Sequence, residues 1–425
     1  MRHLRALPAA AVAVVLAACA PGSGAGGGET EQNDDDRLTY LYFTDGPDED
    51  ATRALIEEYE RETGVTVELQ VVPFDSLEQR LQARLSGDNA PDVARLTDIA
   101  PFRGDLLDLG RFQGEALDDT FLDGADSYVT GPEGELLAVP SDLTMNGPLV
   151  NVEQFEAAGV ELPAPGDPWT WDEMVAAARE VQEHAGTQNA IAMDVSGHRF
   201  STMLSQYGTG FFNAEGTEVA LDTDLATAAV ERFAELNASG AMPSDLWLQA
   251  GTRYEGANEI FLAEQAPVYL SGNWQVSAFA GDATFEWAAV PNPCQERCGG
   301  FPGGKFMVSF EQSARQETAA GFIAFMNSRE SQEQLAQEAN FLPTRKDLID
   351  AGVTYPERDA DMQVFLDDIA ATPEAAFATG YSPAFGATAD AAVQELSRVL
   401  AGEQSPREAA EAIRAAAESA LGDAR

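Results

Sequence analysis

The folded part of the chain alternates short apolar runs with segments of helical periodicity. Runs of aliphatic and aromatic residues predict strands at 38–43, 65–72 and 91–96. Between them, apolar residues recur at helical spacing over 50–63 and 76–86, which predicts two amphipathic helices. This alternating order predicts an α/β domain with a parallel sheet and helices on its faces.

Ligands of parallel sheets gather beyond the carboxyl ends of the strands, because the connecting loops open there. In this chain those ends are the loops at 44–45, 74–75 and 97–98. We therefore predict ligand contacts from Thr44, Asp45 and Asp98. The alternative for the two aspartates is an ordinary surface acid in a chain that is rich in acids.

After residue 140 the alternation resumes. Thr170 and Glu173 stand at the start of a periodic segment with the spacing of a capping box, which predicts a helix from that point. Further segments predict helices at 225–240, 254–264, 313–328, 331–339 and 387–421, and strands at 268–270, 286–290 and 306–310. The sequence has no internal repeat of fixed period.

The first 18 residues are typical of an export signal. A short basic start precedes an apolar run over 6–18, which is too short to span a membrane. The run ends in Leu16-Ala17-Ala18-Cys19, which resembles the lipobox of bacterial lipoproteins. That resemblance implies cleavage before Cys19 and lipidation of its sulfur; the alternative is an ordinary cleavage site beside an incidental cysteine. The polar, Gly-rich segment 19–36 predicts a disordered tether.

The charge balance is strongly acidic. Asp and Glu number 71 against 25 Lys and Arg, which gives a formal net charge of −46 at pH 7. Such a surface repels nucleic acid and anionic lipid, so DNA, RNA and peripheral membrane binding are excluded. The acids are spread along the chain, which favours a solvated, salt-adapted type of surface over an acidic interaction tail. A chain of 425 residues, 44% of them hydrophobic, predicts two domains.

Two cysteines lie close together inside the folded region. Cys294 and Cys298 flank a short turn that also carries Pro and Gly. Disulfides persist in exported proteins, and this spacing brings the two sulfurs within reach, so we predict a disulfide. Zinc is the alternative, but it needs four ligands and no His lies nearby in the sequence.

The order of several short motifs resembles a known family. Behind the lipobox, the matching segments are Val71-Val72-Pro73-Phe74, Ala90-Pro91-Asp92-Val93, Gly134 to Pro140, Trp169-Thr170-Trp171-Asp172-Glu173, Ser271-Gly272-Asn273-Trp274, Gly303-Gly304 and Phe341-Leu342-Pro343-Thr344-Arg345. Together they span nearly all of 38–425. The chain is thus similar to the extracellular solute-binding lipoproteins of ABC importers that take up sugars and oligosaccharides, the relatives of maltose-binding protein.

The resemblance implies a two-lobe periplasmic-binding-protein-like fold of class II type, with a ligand cleft between the lobes. We expect lobe one at 37–144 plus 270–335 and lobe two at 145–269 plus 336–425. It also implies a carbohydrate ligand, an ABC permease as partner, a monomer without cofactor or metal, and a lipid anchor on the outer face of the cell membrane.

The resemblance further indicates which residues hold the ligand. An aromatic residue at the position of Trp274, after Asn273, stacks on a sugar ring in family members, and polar contacts follow the first crossing between lobes. The candidates are therefore Asp142, Asn146, Asn273 and Trp274, with Trp247 and Tyr381 as further aromatic rings. Gly303 and Gly304 let the backbone approach a ligand, or they merely turn the chain. The alternative for the tryptophans is a place in the core.

Cationic and aromatic residues also adjoin in His198-Arg199-Phe200. The segment Gly299 to Lys305 is similar to that of members proposed to import uronic-acid oligosaccharides. For such a ligand, Arg199 or Lys305 is the expected partner of the carboxylate. The alternative is that both cations only compensate neighbouring acids.

Enzyme motifs are missing from the sequence. There is no Gly-x-Ser-x-Gly, no His-Glu-x-x-His and no phosphate loop. A glycoside hydrolase needs only two carboxylates and stays as a minor alternative. The other alternative is an exported sensor or adhesin that binds glycans without transport.

Overall fold

The computed structural model describes residues 37–44, 48–113, 120–121, 126–250 and 255–423. Its strands are β1 (Arg37–Tyr42), β2 (Thr66–Val71), β3 (Val93–Leu96), β4 (Val139–Asn151), β5 (Ile191–Met193), β6 (Val268–Gly272), β7 (Trp287–Ala289) and β8 (Pro302–Ser309). Cys19 and Asp45 lie outside the described residues.

The helices fill the intervals between strands and the C-terminal third of the chain. They are α1 (Glu49–Thr63), α2 (Phe74–Ser86), α3 (Gly110–Gln113), α4 (Asp126–Val129), α5 (Val152–Ala158), α6 (Trp171–Ala185), α7 (Gly197–Gln206), α8 (Thr223–Ala238), α9 (Ser244–Ala250), α10 (Asn258–Leu262), α11 (Gln275–Asp282), α12 (Gln316–Met326), α13 (Arg329–Ala339), α14 (Lys346–Ala351), α15 (Asp359–Ala371), α16 (Glu374–Gly380), α17 (Phe385–Leu400) and α18 (Pro406–Asp423). A 3₁₀ turn covers Ala100–Phe102.

The described strands form one mixed sheet in the order β2-β1-β3-β8-β4-β6-β5, with β7 paired to β4. β1 is parallel to β2 and β3, as the alternating pattern predicts. β8 is antiparallel to both β3 and β4, and β4 is antiparallel to β6. A strand from late in the sequence therefore lies between β3 and β4.

β4 changes partners along its length. Residues up to Met145 pair with β8, and residues from Asn146 onward pair with β6 and β7. A register shift between Pro140 and Asp142 marks a bulge in its first half. The whole strand is buried. The partner change at Asn146 is the geometric centre of the site described below.

Each half of the sheet is covered on both faces, because successive side chains of a strand point in opposite directions. In β1, Tyr40 packs with α1 and α12, whereas Leu41 packs with α2 and the turn that follows β3. In β5, Met193 faces the large helical core of α6, α7, α8, α17 and α18, and Ala192 faces the opposite core.

Several local predictions are confirmed. The side chain of Thr170 accepts a hydrogen bond from the Glu173 amide, and the Glu173 carboxylate accepts one from the Thr170 amide, so the capping box caps α6. Pro406 begins α18, and Gly64 ends α1 in the left-handed conformation. The helix predicted over 254–264 is shorter and begins at Asn258. The helical tail predicted over 387–421, with a helix start at Pro406, consists of α17 and α18, which are separated at 401–405.

None of the helices in the described part of the chain combines the length and apolar character that a membrane crossing requires. Within the same residues, no group of three or more His, Cys, Asp or Glu side chains is arranged to hold a metal ion.

Candidate ligand-binding site

A cavity of about 400 Å³ opens where β4 changes partners. Its volume lies within the range of small-molecule sites. The described residues that line it are Phe43, Thr44, Phe74, Thr97, Thr144, Asn146, Ser196, His198, Arg199, Gly256, Asn258, Trp274, Gln275, Ala278, Gly303, Gly304 and Lys305. They come from the ends of β1 and β3, the middle of β4, the first turn of α7, the segment around α10, and the strand ends of β6 and β8.

The start of α7 places two of these side chains. The hydroxyl of Ser196 accepts a hydrogen bond from the His198 amide and caps the helix. Gly197 is needed here, since a Cβ atom would lie 2.5 Å from the Cβ atom of Ala389 in α17. With the helix end held against α17 in this way, His198 and Arg199 lie at the cavity.

Arg199 is held on three sides. Its Nη2 and Nε atoms donate to Oδ2 of Asp194 at 2.9 and 3.2 Å, and its Nη1 atom donates to Oδ1 of Asn146. Its guanidinium carbon lies 4.3 Å from the ring centroid of Trp274, which is a cation–π contact. The guanidinium group therefore has a defined plane and position before any ligand enters.

Asp194 organises this wall of the cavity. It is fully buried, and besides Arg199 it accepts hydrogen bonds from the hydroxyls of Tyr269 (2.6 Å) and Ser271 (2.7 Å) and from the amide of Ala257 (2.9 Å). These donors come from β6 and from the segment before α10. A buried carboxylate is tolerated when it is paired and fully hydrogen-bonded, as it is here.

Trp274 follows β6 and is partly exposed at the cavity. Gly272, the last residue of β6, lies under its ring: a Cβ atom there would be 2.1 Å from Cζ3 of Trp274 and 2.7 Å from the carbonyl oxygen of Met145. Both distances are too short for any side chain. The neighbouring Asn273 turns inward instead, and its Oδ1 atom accepts a hydrogen bond from the Met145 amide at 2.9 Å.

The lining also contains Lys305 on β8. Its Nζ atom lies 3.3 Å from Oδ2 of Asp142, and the same carboxylate accepts hydrogen bonds of 3.0 and 3.1 Å from Nη2 of Arg95. Nη1 of Arg95 donates to the carbonyl oxygen of Phe43 at 2.8 Å. Asp142 and Arg95 are buried. This chain of contacts fixes both Lys305 and the backbone at the end of β1.

His198 is neutral in this setting. Burial, together with the nearby positive charges of Arg199 and Lys305, lowers the pKa of the His198 imidazole to about 3. The ring makes an edge contact with Phe385, with centroids 4.7 Å apart. At neutral pH it therefore offers a hydrogen-bond donor and an acceptor to a ligand, without charge.

A second aromatic surface lies across the cavity from the helix. The rings of Phe43 and Phe74 are 5.0 Å apart. Phe74 begins α2, directly after Pro73, and remains 42% exposed although it is a large apolar side chain. An exposed ring on a cavity wall is suited to contact with the apolar face of a ligand.

A sequence profile of the bacterial extracellular solute-binding protein family matches residues 54–364. The chain belongs to this family. An arabinooligosaccharide-binding protein of Halalkalibacterium halodurans is 26% identical to this solute-binding protein over 335 residues, which are 73% of this chain and 71% of the relative. A binding protein of Brucella abortus is 24% identical over 333 residues, 74% of this chain and 76% of the relative.

Solved structures show the same fold. The GacH receptor of Streptomyces glaucescens, solved unliganded and in complex with acarbose, superimposes with a TM-score of 0.72 at 23% identity, covering 91% of this chain and 98% of that chain. The cyclic α-maltosyl-1,6-maltose binding protein of Arthrobacter globiformis gives 0.71 at 23% identity, covering 91% and 99%. The solute-binding protein therefore has the two-lobe α/β fold that the resemblance implied.

Eight of the residues predicted from the sequence line the cavity of this solute-binding protein. They are Thr44, Asn146, His198, Arg199, Trp274, Gly303, Gly304 and Lys305. Two more adjoin the lining, since Asp142 contacts the lining residue Lys305 and Asn273 is the chain neighbour of the lining residue Trp274. Whether each of them touches a ligand stays a prediction.

Other candidates are placed elsewhere. Phe200 and Trp247 are fully buried in the large helical core, where Trp247 packs on Phe233 with ring centroids 4.6 Å apart. Tyr381 is buried against Tyr128 and Phe306. In this conformation none of the three reaches the cavity, because each ring is covered by its own core.

Asp98 lines a separate surface depression, of about 960 Å³, between the segment after β3 and the C-terminal helices. Its carboxylate accepts hydrogen bonds from the hydroxyl of Tyr128 and the amide of Ala100. Burial raises the pKa of this carboxyl above its usual value. The strand-end argument placed Asp98 near the carboxyl edge of the sheet, but its side chain turns away from the cavity.

Nine of the residues that line the cavity are not among the predicted contacts. They are Phe43, Phe74, Thr97, Thr144, Ser196, Gly256, Asn258, Gln275 and Ala278. Phe74 and Thr97 belong to the strand-end loops that the pattern indicates, so the same argument leads to them. Gly256, Asn258 and Ala278 carry no comparable signal, since only the folding of α10 and α11 against β6 brings them there.

Cys294 and Cys298 form a disulfide. The amide of Cys294 donates to the Trp169 carbonyl, and the amide of Trp171 donates to the Cys294 carbonyl. The bridged turn therefore packs against the start of α6. It is not part of the cavity lining.

Proposed function

We propose that this solute-binding protein captures a sugar or oligosaccharide in the cavity and delivers it to the permease of an ABC importer. The observation that carries the proposal is the partly exposed Trp274 ring, set beside the fixed donors of Arg199 and the amide of Asn146. Aromatic faces suit the C–H faces of a sugar, and amide and guanidinium groups suit its hydroxyls. Relatives in sequence and structure are named for arabinooligosaccharide and maltose-type ligands.

In this proposal the cavity lies between lobe one, 37–144 plus 270–335, and lobe two, 145–269 plus 336–425. The partner change of β4 at Met145 and Asn146 supports a boundary at this point. Ligand contacts from both lobes favour the closed state by the difference in affinity between closed and open forms. The permease then receives the closed, loaded protein.

The proposal includes an exported lipoprotein. Residues 1–18 are removed, Cys19 carries the lipid, and 19–36 tether a monomeric binding body to the outer face of the membrane. The basis is the lipobox-like sequence together with the extracellular family. Such a tether keeps the protein near the permease while the two lobes stay free to move.

Binding without catalysis is favoured over hydrolysis. A glycoside hydrolase needs two carboxylates that face the ligand. The described residues lining the cavity include neither Asp nor Glu. The acids behind the lining, Asp142 and Asp194, are tied to Arg95 and Arg199. The relatives named above are binding proteins as well.

The test is thermal unfolding of the mature chain against mono- and oligosaccharides, polyols and peptides at fixed salt. A ligand at 100 times its Kd stabilises the folded state by about 2.7 kcal/mol, which gives a visible rise in Tm. Trp274→Ala is expected to weaken binding of the sugar that scores by about tenfold or more, with the unliganded Tm within a few degrees of wild type.

The matched control is Trp169→Ala. Trp169 is also partly buried, but it stacks on Phe155 and does not line the cavity. It is expected to leave the affinity unchanged. A peptide or polyol that scores in place of every sugar would contradict the substrate class. Unchanged affinity in Trp274→Ala would remove this ring from the site.

A further inference from the structure

The charged groups on the cavity wall have one sign. Among the described lining residues, Arg199 and Lys305 are the charged side chains, and no Asp or Glu is present. This occurs in a chain with 71 acids and 25 basic residues, so an arbitrary patch of its surface is expected to be acidic. We propose that the cavity binds an acidic sugar, whose carboxylate is received by Arg199 and Lys305.

The counter-ions of the two cations lie behind the wall. Asp194 is fully buried and is also bonded by Tyr269 and Ser271, and Asp142 is 2% exposed and is also bonded by Arg95. The carboxylates therefore face the core while the cations lie at the cavity surface. The acids hold the cations in place, and a ligand meets positive charge first.

The geometry of Arg199 suits a carboxylate on a sugar ring. Its hydrogen bonds to Asp194 and Asn146 use three of the five N–H donors of a guanidinium group. The carbon atom of the same guanidinium group lies 4.3 Å from the ring centroid of Trp274. A sugar that stacks near this ring has its ring substituents beside the guanidinium edge, where a planar carboxylate can accept two parallel N–H···O hydrogen bonds.

His198 lines the cavity together with the two cations, and both of their charges act on its imidazole. Burial comes first among the causes that lower the pKa of His198, and the charges of Arg199 and Lys305 add to it. Its ring contributes no third positive charge at neutral pH. It adds instead a neutral donor and acceptor beside the carboxylate position, which suits the hydroxyl next to the acid group.

Closure of the lobes around a ligand explains why the sign of the ligand's charge affects its affinity. When the lobes close and expel water, the two cations lose their interactions with that water, and a neutral ligand offers them no negative charge in its place. A carboxylate restores it and forms charge-assisted hydrogen bonds. This inference rests on the proposed function, because it concerns the ligand of the same cavity.

The experiment compares sugars that differ only in the acid group. The full chain in detergent is titrated calorimetrically with galacturonate and galactose, glucuronate and glucose, and the corresponding short oligomers, with glucose 6-phosphate as the tetrahedral anion. At least one acidic sugar is expected to bind about tenfold tighter or more than its neutral partner, and this advantage is expected to shrink as salt rises.

The outcomes separate the two proposals. A neutral sugar that binds as tightly as its acid would overturn the acidic ligand and leave sugar binding intact. Tighter binding of the sugar phosphate would overturn the carboxylate. If neither the sugars nor the sugar phosphate binds, sugar binding itself is wrong and the acidic ligand falls with it.

The deciding variant is Lys305→Gln, because Asp142 keeps Arg95 as its partner and the fold is expected to survive. It should weaken acidic sugar binding about tenfold or more and neutral sugar binding far less. Arg53→Gln is the matched control: it removes one positive charge from an exposed pair with Glu49 on α1 and should leave both affinities unchanged. Equal losses for acidic and neutral sugars in Lys305→Gln would indicate a merely structural role and overturn the assignment.

Discussion

The pair of Arg199 and Asp194 has a counterpart on the surface with the same shortest N···O distance. Arg199 Nη2 and Asp194 Oδ2 are 2.9 Å apart, and so are Arg407 Nη1 and Asp224 Oδ1. The first pair is 6% and 0% exposed, whereas the second is 59% and 82% exposed. We predict that Asp194→Asn unfolds the protein far more easily than Asp224→Asn, although both remove one carboxylate from an Arg–Asp pair.

The magnitude follows from the contacts of Asp194. The carboxylate accepts two hydrogen bonds from Arg199 and one each from Tyr269, Ser271 and Ala257. The side-chain amide of the Asp194→Asn variant keeps one acceptor oxygen and points an NH₂ group at some of these donors. It also leaves the buried guanidinium group of Arg199 without its counter-ion. Breaking one side of a buried pair costs about 3–5 kcal/mol.

The assay is equilibrium unfolding in urea, since guanidinium chloride is itself a salt and screens charges. With a slope of roughly 3 kcal/mol/M or more for a chain of this size, Asp194→Asn should lower the urea midpoint by about 1 M. Asp224→Asn should leave it unchanged. Equal midpoints for the two variants would refute the argument, because it attributes the difference to the burial of Asp194 and to the hydrogen bonds that its carboxylate accepts.

Three further outcomes are expected. Replacing Cys294 and Cys298 by Ser together should lower the free energy of unfolding by about 2 kcal/mol, which is the chain-entropy estimate for so short a loop. Reducing the disulfide of the wild type should cause the same shift, and that shift is the measurement. Burial raises the pKa of Asp368 to about 7, above the usual value near 4. The folded state therefore keeps this proton at pH values where the unfolded state has lost it, so the free energy of unfolding falls as pH rises from about 4 to 7. Asp368→Asn should flatten this decline between pH 5 and 8; an unchanged pH profile would contradict it. Cys19→Ser should release the protein from the membrane fraction, whereas retention would contradict lipidation at this residue.

Much of the local structure was predictable from the sequence. The strand and helix periods of 37–96, the capping box of Thr170 and Glu173, and the start of α18 at Pro406 depend on residues that are near in sequence. Local hydrogen bonding and side-chain spacing decide such features. The parallel pairing of β1, β2 and β3 follows from the same pattern.

β4 shows where this kind of prediction ends. Its 13 residues include Pro140, Asp142, Asn146, Gly147 and Pro148, a composition that is unfavourable for a strand. It is nevertheless a fully buried central strand, because β8 covers its first half and β6 and β7 cover its second half. Those partners come from more than 100 residues further along the chain, so no local window contains the information.

The candidate site residues show the same difference between what the sequence indicates and what packing decides. Trp274 and Trp247 are both candidate ring platforms by sequence, with Trp274 favoured by the family resemblance, and packing separates them. Gly272 leaves room for the Trp274 ring at the cavity, whereas Phe233 and its neighbours enclose Trp247 in the helical core. The sequence alone does not indicate which side chains will cover a tryptophan in the folded protein.

By itself, the sequence determined the type of most local elements, the acidic character of the chain and the pairing of its two neighbouring cysteines, because these depend on composition and short spacing. Tertiary structure alone decided that Arg199 and Lys305 lie at the cavity while Asp194 and Asp142 lie behind them. The physical reason is that the sign of charge on a cavity wall depends on which member of each ion pair lines the cavity and which lies behind it. That choice is made by contacts between β4, β6, β8 and α7, which are distant in the chain.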